Sequence, residues 1–173
     1  RFGGFRTRSL QAAGVFRVLC VVFLLGFAAG APAAPRVPDL SYYGYATYLG
    51  STADDVVRAM TVDSAGRIIL VGNSSGTDFP SAARTATIGP ANGTATTFVL
   101  RLSKRGSKID FIVRIGGSGT DEVNDVTIDG SGRIVIVGTT NSTDFPMRNA
   151  SQPTIGGGTD AFVARIDPGT LEL

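Results

Sequence analysis

The sequence repeats itself. Shifted by 66 positions, residues 50–80 lie over residues 116–146 with 14 of 31 positions identical, and both copies end on Thr-Asp-Phe-Pro, at Thr77 to Pro80 and at Thr143 to Pro146. At a shift of 64 the match resumes, with Phe98-Val99-Leu100-Arg101-Leu102 over Phe162-Val163-Ala164-Arg165-Ile166. The small difference in offset falls in a Gly- and Thr-rich stretch, where extra length costs little. A chain written twice at this spacing must fold into recurring units. A unit this short needs a neighbour to bury both its faces.

Each unit reads as four strands. Residues 57–62 alternate Met60 and Val62 with Thr61, and their copy places Val126 and Ile128 around Thr127. Asp63 and Gly66, repeated as Asp129 and Gly132, occupy the first and fourth positions of a type I turn. Residues 68–71 and 134–137 are apolar on both faces, as a central strand must be. A loop of about two dozen residues follows, opened by the Thr-Asp-Phe-Pro element. The third strand puts Phe98, Leu100 and Leu102 on one face, repeated by Phe162, Ala164 and Ile166. The fourth alternates Ile109, Phe111, Val113 and Ile115, and one repeat earlier Tyr43, Tyr45, Thr47 and Leu49 keep that alternation. Period-2 patterning in β-branched and aromatic residues is the strand signal, and no segment after residue 33 shows a helical period. The expected fold is all-β: β-propeller blades of four antiparallel strands, about two of them, in units of roughly 57–116 and 123–173, the second incomplete.

The run from Gly116 to Pro146 (GGSGTDEVNDVTIDGSGRIVIVGTTNSTDFP), then GGGTDAFVARIDPGT, resembles the SBBP (seven-bladed β-propeller) repeat family. The resemblance covers residues 43–173 and is specific at Gly-Gly-Ser-Gly-x-Asp, Asp-x-x-Gly, the Thr-Asp-Phe-Pro element and Asp-Ala-Phe-Val-Ala-Arg. It implies a propeller in an exported, often cell-surface protein, with no catalytic activity attached. The first copy departs from the pattern: Ser51 replaces the second Gly, Thr97 stands where Ala precedes the Phe, and residues 93–97 lack the Asp matched by Asp160. A complete ring would need several further units, expected as further blades of a longer product.

Residues 1–33 read as an address. Arg1, Arg6, Arg8 and Arg17 precede or border an apolar run at 18–29, and Ala31-Pro32-Ala33 follows as a small-x-small cleavage site. That is the order of a secretory signal peptide, and the run is shorter than the roughly 18 residues a membrane span needs. Residues 34–42 form a linker, and Cys20 is a small hydrophobe that leaves with the signal. Four of the 16 Lys and Arg lie in this segment and none of the 14 Asp and Glu, so residues 34–173 carry a net charge of −2. A basic patch for nucleic acid is therefore not expected, and the membrane enters only through export.

Composition removes whole classes of chemistry. With no His and one Cys there is no zinc site of ordinary ligands and no Ser-His or Cys-His nucleophile pair. Asp54, Asp55, Asp121, Glu122, Asp125 and Asp129 form the densest acidic set, in Gly-rich loops that would suit Ca²⁺. No D-x-D-x-D-G spacing exists, so no cofactor is expected. Asp78 and Asp144 read as structural: the carboxylate accepts backbone N–H bonds in an Asx-turn, Phe79 or Phe145 plugs between blades, and Pro80 or Pro146 fixes φ. Gly116-Gly117-Ser118-Gly119 lies between two strands, with no helix N-terminus to hold a phosphate. Asn73, Asn92, Asn141 and Asn149 each open an Asn-x-Ser/Thr triplet, so at least one should carry a glycan if the source is eukaryotic. The expected function is a secreted or cell-surface scaffold that binds protein or glycan through loops 50–55, 116–122 and 74–96. The alternative is a carbohydrate-active lyase or hydrolase built on the acidic loop residues.

Overall fold

The computed structural model describes residues 44–80 and 82–173, so the signal-peptide, linker and Cys20 readings, and Tyr43, lie outside the described residues. Eight strands follow in chain order: β1 (Asp55–Val62), β2 (Ile68–Ser74), β3 (Thr85–Ile88), β4 (Thr96–Leu102), β5 (Ile109–Ile115), β6 (Asp121–Ile128), β7 (Ile134–Thr140) and β8 (Asp160–Ile166). They form a five-stranded sheet in the order β1-β2-β4-β5-β3 and a three-stranded sheet in the order β6-β7-β8. Every pairing is antiparallel except that of β3 with β5. Among the described residues there is no helix.

The two sheets are copies down to their irregularities. A β-bulge interrupts β1 between Val57 and Ala59 and interrupts β6 between Val123 and Asp125, leaving Arg58 and Asn124 as the extra residues. Phe98 sits opposite Gly72 and Phe162 opposite Gly138. In each case the missing side chain makes room, since a Cβ on Gly138 would lie 2.8 Å from the Phe162 ring and 2.1 Å from the Glu122 carbonyl oxygen. The hairpin turns are duplicated as well. Asp63 Oδ1 accepts from the amides of Ala65 and Arg67 at 2.9 Å each, and Asp129 Oδ1 from those of Ser131 and Arg133 at 2.9 and 3.0 Å. Gly66 and Gly132 close these turns at φ +76° and +82°, a region that only glycine enters freely.

Because side chains alternate across a strand, each sheet has two faces. One face of the first sheet (Ile69, Val71, Val99, Phe111, Val113, Ile115) packs on one face of the second (Val123, Val126, Ile134, Ile136, Phe162, Ala164, Ile166) in a shared core. Phe145 is buried in that core, its ring centroid 4.6 Å from that of Phe162. The first sheet's other face carries Phe98, Leu100, Leu102 and Ile112, covered in part by Leu49, Phe79 and Ala82. Phe79 repeats the ring contact, 5.0 Å from Phe98, but remains half-buried.

Two expectations need correction. The long loop after β2 holds a strand, β3, whose alternating Ala86 and Ile88 pack on the shared core while its backbone takes the free edge of β5. The first sheet therefore has five strands rather than four. The alternation through Tyr45, Thr47 and Leu49 predicts a strand, but residues 44–49 form none, because no described strand pairs with them. A period-2 pattern marks a segment able to join a ladder, and a ladder needs a second backbone.

Candidate functional site

Antiparallel pairing brings the starts of β1, β4, β6 and β8 and the ends of β2, β5 and β7 to one end of the sheets. The loops expected to carry function, 50–55, 74–96 and 116–122, all emerge there. They are hydrogen-bonded into one surface. The Ala91 amide donates to the Gly116 carbonyl at 3.0 Å, the Thr94 amide to that of Gly119 at 3.1 Å, and the Asp121 amide to that of Ala95 at 3.0 Å. Asn141 from the second sheet donates its amide to the Thr120 carbonyl at 3.2 Å.

The linking loop 116–120 shows how this surface is held. Four consecutive amides each find a side-chain oxygen: Gly117 donates to Asp121 Oδ2 at 2.7 Å, Ser118 to Asp144 Oδ1 at 2.8 Å, Gly119 to Ser142 Oγ at 2.8 Å and Thr120 to Asn141 Oδ1 at 2.7 Å. Asp121 is fully buried, and its carboxylate also accepts from the Ser142 hydroxyl at 3.1 Å and from the Thr140 hydroxyl. Its own carbonyl oxygen accepts from Asn73 Nδ2 at 2.8 Å and Thr97 Oγ1 at 3.2 Å, both on the first sheet. Asp121 thus ties its loop inward and the two sheets together. Amides committed to side-chain acceptors are not offered to a phosphate, which disposes of a phosphate loop at residues 116–119.

The first copy makes the same clasp incompletely. Ser51 donates to Asp55 Oδ2 from its amide at 2.6 Å and its hydroxyl at 2.9 Å, and the Thr52 amide donates to Asp78 Oδ1 at 3.2 Å. Gly76 stands where the second copy has Ser142, and Asp55 Oδ1 is buried without a partner.

The sequence assigns Asp78 and Asp144 to Asx-turns of their own. Each instead reaches far back along the chain, to the loop before the first strand of its unit. Hydrogen bonds from the Thr52 hydroxyl and amide hold the Asp78 carboxyl below the usual carboxylate range. For Asp144 the amide of Ser118 does most of this, with its hydroxyl adding at 3.0 Å. Sequence reasoning does not single out Thr140, Asn141 or Ser142 as loop anchors. The available signal is the pair of hydroxyls, Thr52 and Ser118, standing at matching positions and at the same distance before the recurring Asp.

The acidic set does not converge. Asp55 and Asp121 serve their clasps, and Glu122 lies 3.8 Å from Arg58 in an exposed pair between β6 and β1. Asp54 and Asp125 are exposed. Asp129 belongs to the turn after β6, at the opposite end, where the Ser131 hydroxyl and then the Arg133 amide push its carboxyl far below the ordinary value. In Asp63, burial pulls upward but is outweighed by the amide and guanidinium of Arg67, so that carboxyl is lowered too. Among the described residues no three Asp, Glu, His or Cys gather as a metal would require.

Of the four Asn-x-Ser/Thr positions, Asn92, Asn141 and Asn149 are exposed at the surface. Asn73 is buried, and the nitrogen that would carry a glycan is the one donating to Asp121. Residues 44–80 and 110–146 each match the SBBP beta-propeller repeat, two windows of equal length set one repeat apart. No curated protein matches the chain.

Proposed function

Because the chain carries two SBBP beta-propeller repeats, its two sheets being propeller blades, we propose that it is an exported scaffold that binds a protein or glycan through the loop end of the blades and performs no catalysis. What carries this reading is the state of the polar groups there. Amides 117–120 are all taken up by the side chains of Asp121, Asp144, Ser142 and Asn141, and one oxygen of Asp55 is held by Ser51. Such a surface is stiff before any partner arrives, so binding orders little further chain, which favours affinity. Acid–base catalysis would instead need two carboxyls facing a common space.

The exposed chemistry suits a hydrogen-bonding partner. Thr52, Ser75, Thr77, Asn92, Thr94, Ser118, Asn141 and Thr143 present hydroxyls and amides. Residues 50–54, 75–80, 91–96, 116–120 and 141–144 contain no Lys or Arg, which speaks against nucleic acid. Export to the cell surface or medium is supported by the basic, apolar, small-residue order of residues 1–33.

A glycan array probed with the purified chain and with the Thr94→Arg and Ser118→Arg variants tests the reading, alongside an assay for sugar-chain cleavage. Binding that both substitutions abolish, with no cleavage, is the expected result. Release of new chain ends that disappears in Asp54→Asn or Glu122→Gln would replace it with the enzyme reading.

A further inference from the structure

Residues 91–95 run along the linking loop 116–120, and in their middle stands Asn92-Gly93. Both flanks are fastened: the Ala91 amide to the Gly116 carbonyl, the Ala91 carbonyl to Arg114 Nη2 at 3.1 Å, and the Thr94 amide to the Gly119 carbonyl. Between these anchors the peptide is unheld. Among the described residues nothing accepts from the Gly93 amide, and nothing bonds the side chain of Asn92, which is exposed. Position 93 must be glycine, because a Cβ there would overlap the Gly119 carbonyl oxygen.

That arrangement opens a reaction the backbone carries within itself. The side chain of asparagine is an acyl carbon with ammonia as its leaving group, and the amide nitrogen of the next residue is the nearest nucleophile. A fold protects such a pair by hydrogen-bonding one member or by crowding the nitrogen with a side chain, and asparagine is thermolabile where neither holds. Here both groups are free and the uncrowded residue is required.

The other candidates in the chain are closed. Asp129-Gly130 offers the same uncrowded nitrogen, but Asp129 Oδ1 accepts from the amides of Ser131 and Arg133 and Oδ2 from Arg133 Nε at 3.2 Å, so the carboxyl stays ionised and has no ready leaving group. Asn141 is held through Oδ1 by the Thr120 amide, and the Ser142 amide that follows is taken by Thr140 Oγ1 at 3.0 Å. Asn73 is buried on Asp121. Asn124 and Asn149 precede Asp125 and Ala150, whose side chains crowd the attacking nitrogen.

We propose that Asn92-Gly93 is a site of spontaneous covalent modification that releases residues 91–95 from the linking loop. The Gly93 nitrogen gives up its proton to water and bonds to Cγ of Asn92. The bond from Cγ to the side-chain nitrogen breaks, and ammonia departs with a proton, leaving a succinimide ring. Water then opens the ring at either carbonyl. One opening gives aspartate; the other gives isoaspartate, in which the main chain runs through Cβ and Cγ and is a carbon longer. Only water is consumed. Gly93 lies against Gly119 and cannot shift to absorb the added carbon. The bonds lost are therefore those just beyond it, from the Thr94 amide to the Gly119 carbonyl and from the Asp121 amide to the Ala95 carbonyl.

Peptide mass spectrometry tests this on the full chain, made in cells that attach no N-linked glycan and stored warm. The peptide containing residue 92 should lose its amide, pass through a form lighter by ammonia, and end as a mixture of aspartate and isoaspartate. The loss should be faster in mild alkali than in mild acid, because the attacking nitrogen must shed a proton. The peptide containing Asp129 and Gly130 should stay unaltered in the folded chain and isomerise once the chain is unfolded in urea. Asn92→Gln, whose attack would close a larger and slower ring, should abolish the change. In the converted chain the Thr94 and Asp121 amides should lose protection from hydrogen exchange, and in stored Asn92→Gln they should keep it. An Asn92 that keeps its amide in the folded chain and loses it only in urea overturns the proposal. So do isomerisation of Asp129 in the folded chain as fast as conversion of Asn92, and a converted chain whose Thr94 and Asp121 amides are as protected as before.

Discussion

Ser51 and Gly76 face each other across the loop end of the first sheet so closely that a Cβ on Gly76 would lie 2.2 Å from Ser51 Oγ. In the second sheet the same two positions hold Gly117 and Ser142, where a Cβ on Gly117 would lie 2.4 Å from Ser142 Cβ. Serine and glycine have changed places, and one site holds one side chain in either arrangement. Gly76→Ser alone should overfill it and cost about 1–3 kcal/mol. Ser51→Gly combined with Gly76→Ser should restore most of that loss by reproducing the second copy. Urea unfolding midpoints of the two single variants and the double variant measure the coupling.

The two clasp aspartates should not respond alike to the same substitution. Asp121→Asn places an amide among donors from Gly117, Thr140 and Ser142, leaving one of them without an acceptor, at about 2–3 kcal/mol. Asp55→Asn can turn its amide toward the oxygen site that has no partner and should cost less than half as much. Equal losses in chemical denaturation would mean that Asp55 Oδ1 has a hydrogen-bond donor in solution.

The phenylalanines of the repeated Thr-Asp-Phe-Pro element are graded by burial. Phe145→Ala removes a ring enclosed by both sheets and should destabilise by about 3–4 kcal/mol, whereas Phe79→Ala, at a half-buried ring, should cost about 1–2 kcal/mol. Thermal unfolding of the two variants should separate them clearly.

Acid should weaken the fold through a defined set of groups. Asp63, Asp78, Asp129 and Asp144 are all held below their ordinary values in the folded chain. A depressed folded value means stability that is fully present above the unfolded value of about 3.9 and lost as pH falls from there toward the folded one. The unfolding temperature should therefore be level from about pH 7 to 5 and fall below about pH 4, and Asp129→Asn should make that fall shallower. A midpoint that drops between about pH 7 and 5 would implicate other groups.

Expression in cells that attach N-linked glycans should leave Asn73 unmodified, since its nitrogen is buried against Asp121. Peptide mass spectrometry should find any glycan at Asn92, Asn141 or Asn149.

Much of this architecture can be read from residues alone, and the boundary of what can be read has a physical cause. The alternation of Phe98, Leu100 and Leu102, and the turn residues Asp63 and Gly66, act within a strand or hairpin, and the fold places them as their pattern demands. Strand β3 leaves little local trace because Thr85–Ile88 is short and owes its conformation to a parallel partner far along the chain. The bond from Thr52 to Asp78 is invisible to a local reading because the carboxylate prefers a distant amide to its own turn. Residues 44–49 fail in the opposite sense: the pattern of a strand is present, and no strand among the described residues pairs with it.

The parallel strand β3 also has a bearing on how the chain behaves when concentrated. An uncovered outermost strand is a template on which foreign backbones can grow, and β3 closes that margin of the first sheet with a short segment in which Thr85 and Thr87 face solvent. A rim so short and polar is a poor seed for fibres, so the loop that supplies it works as an insulating strip as much as a connection.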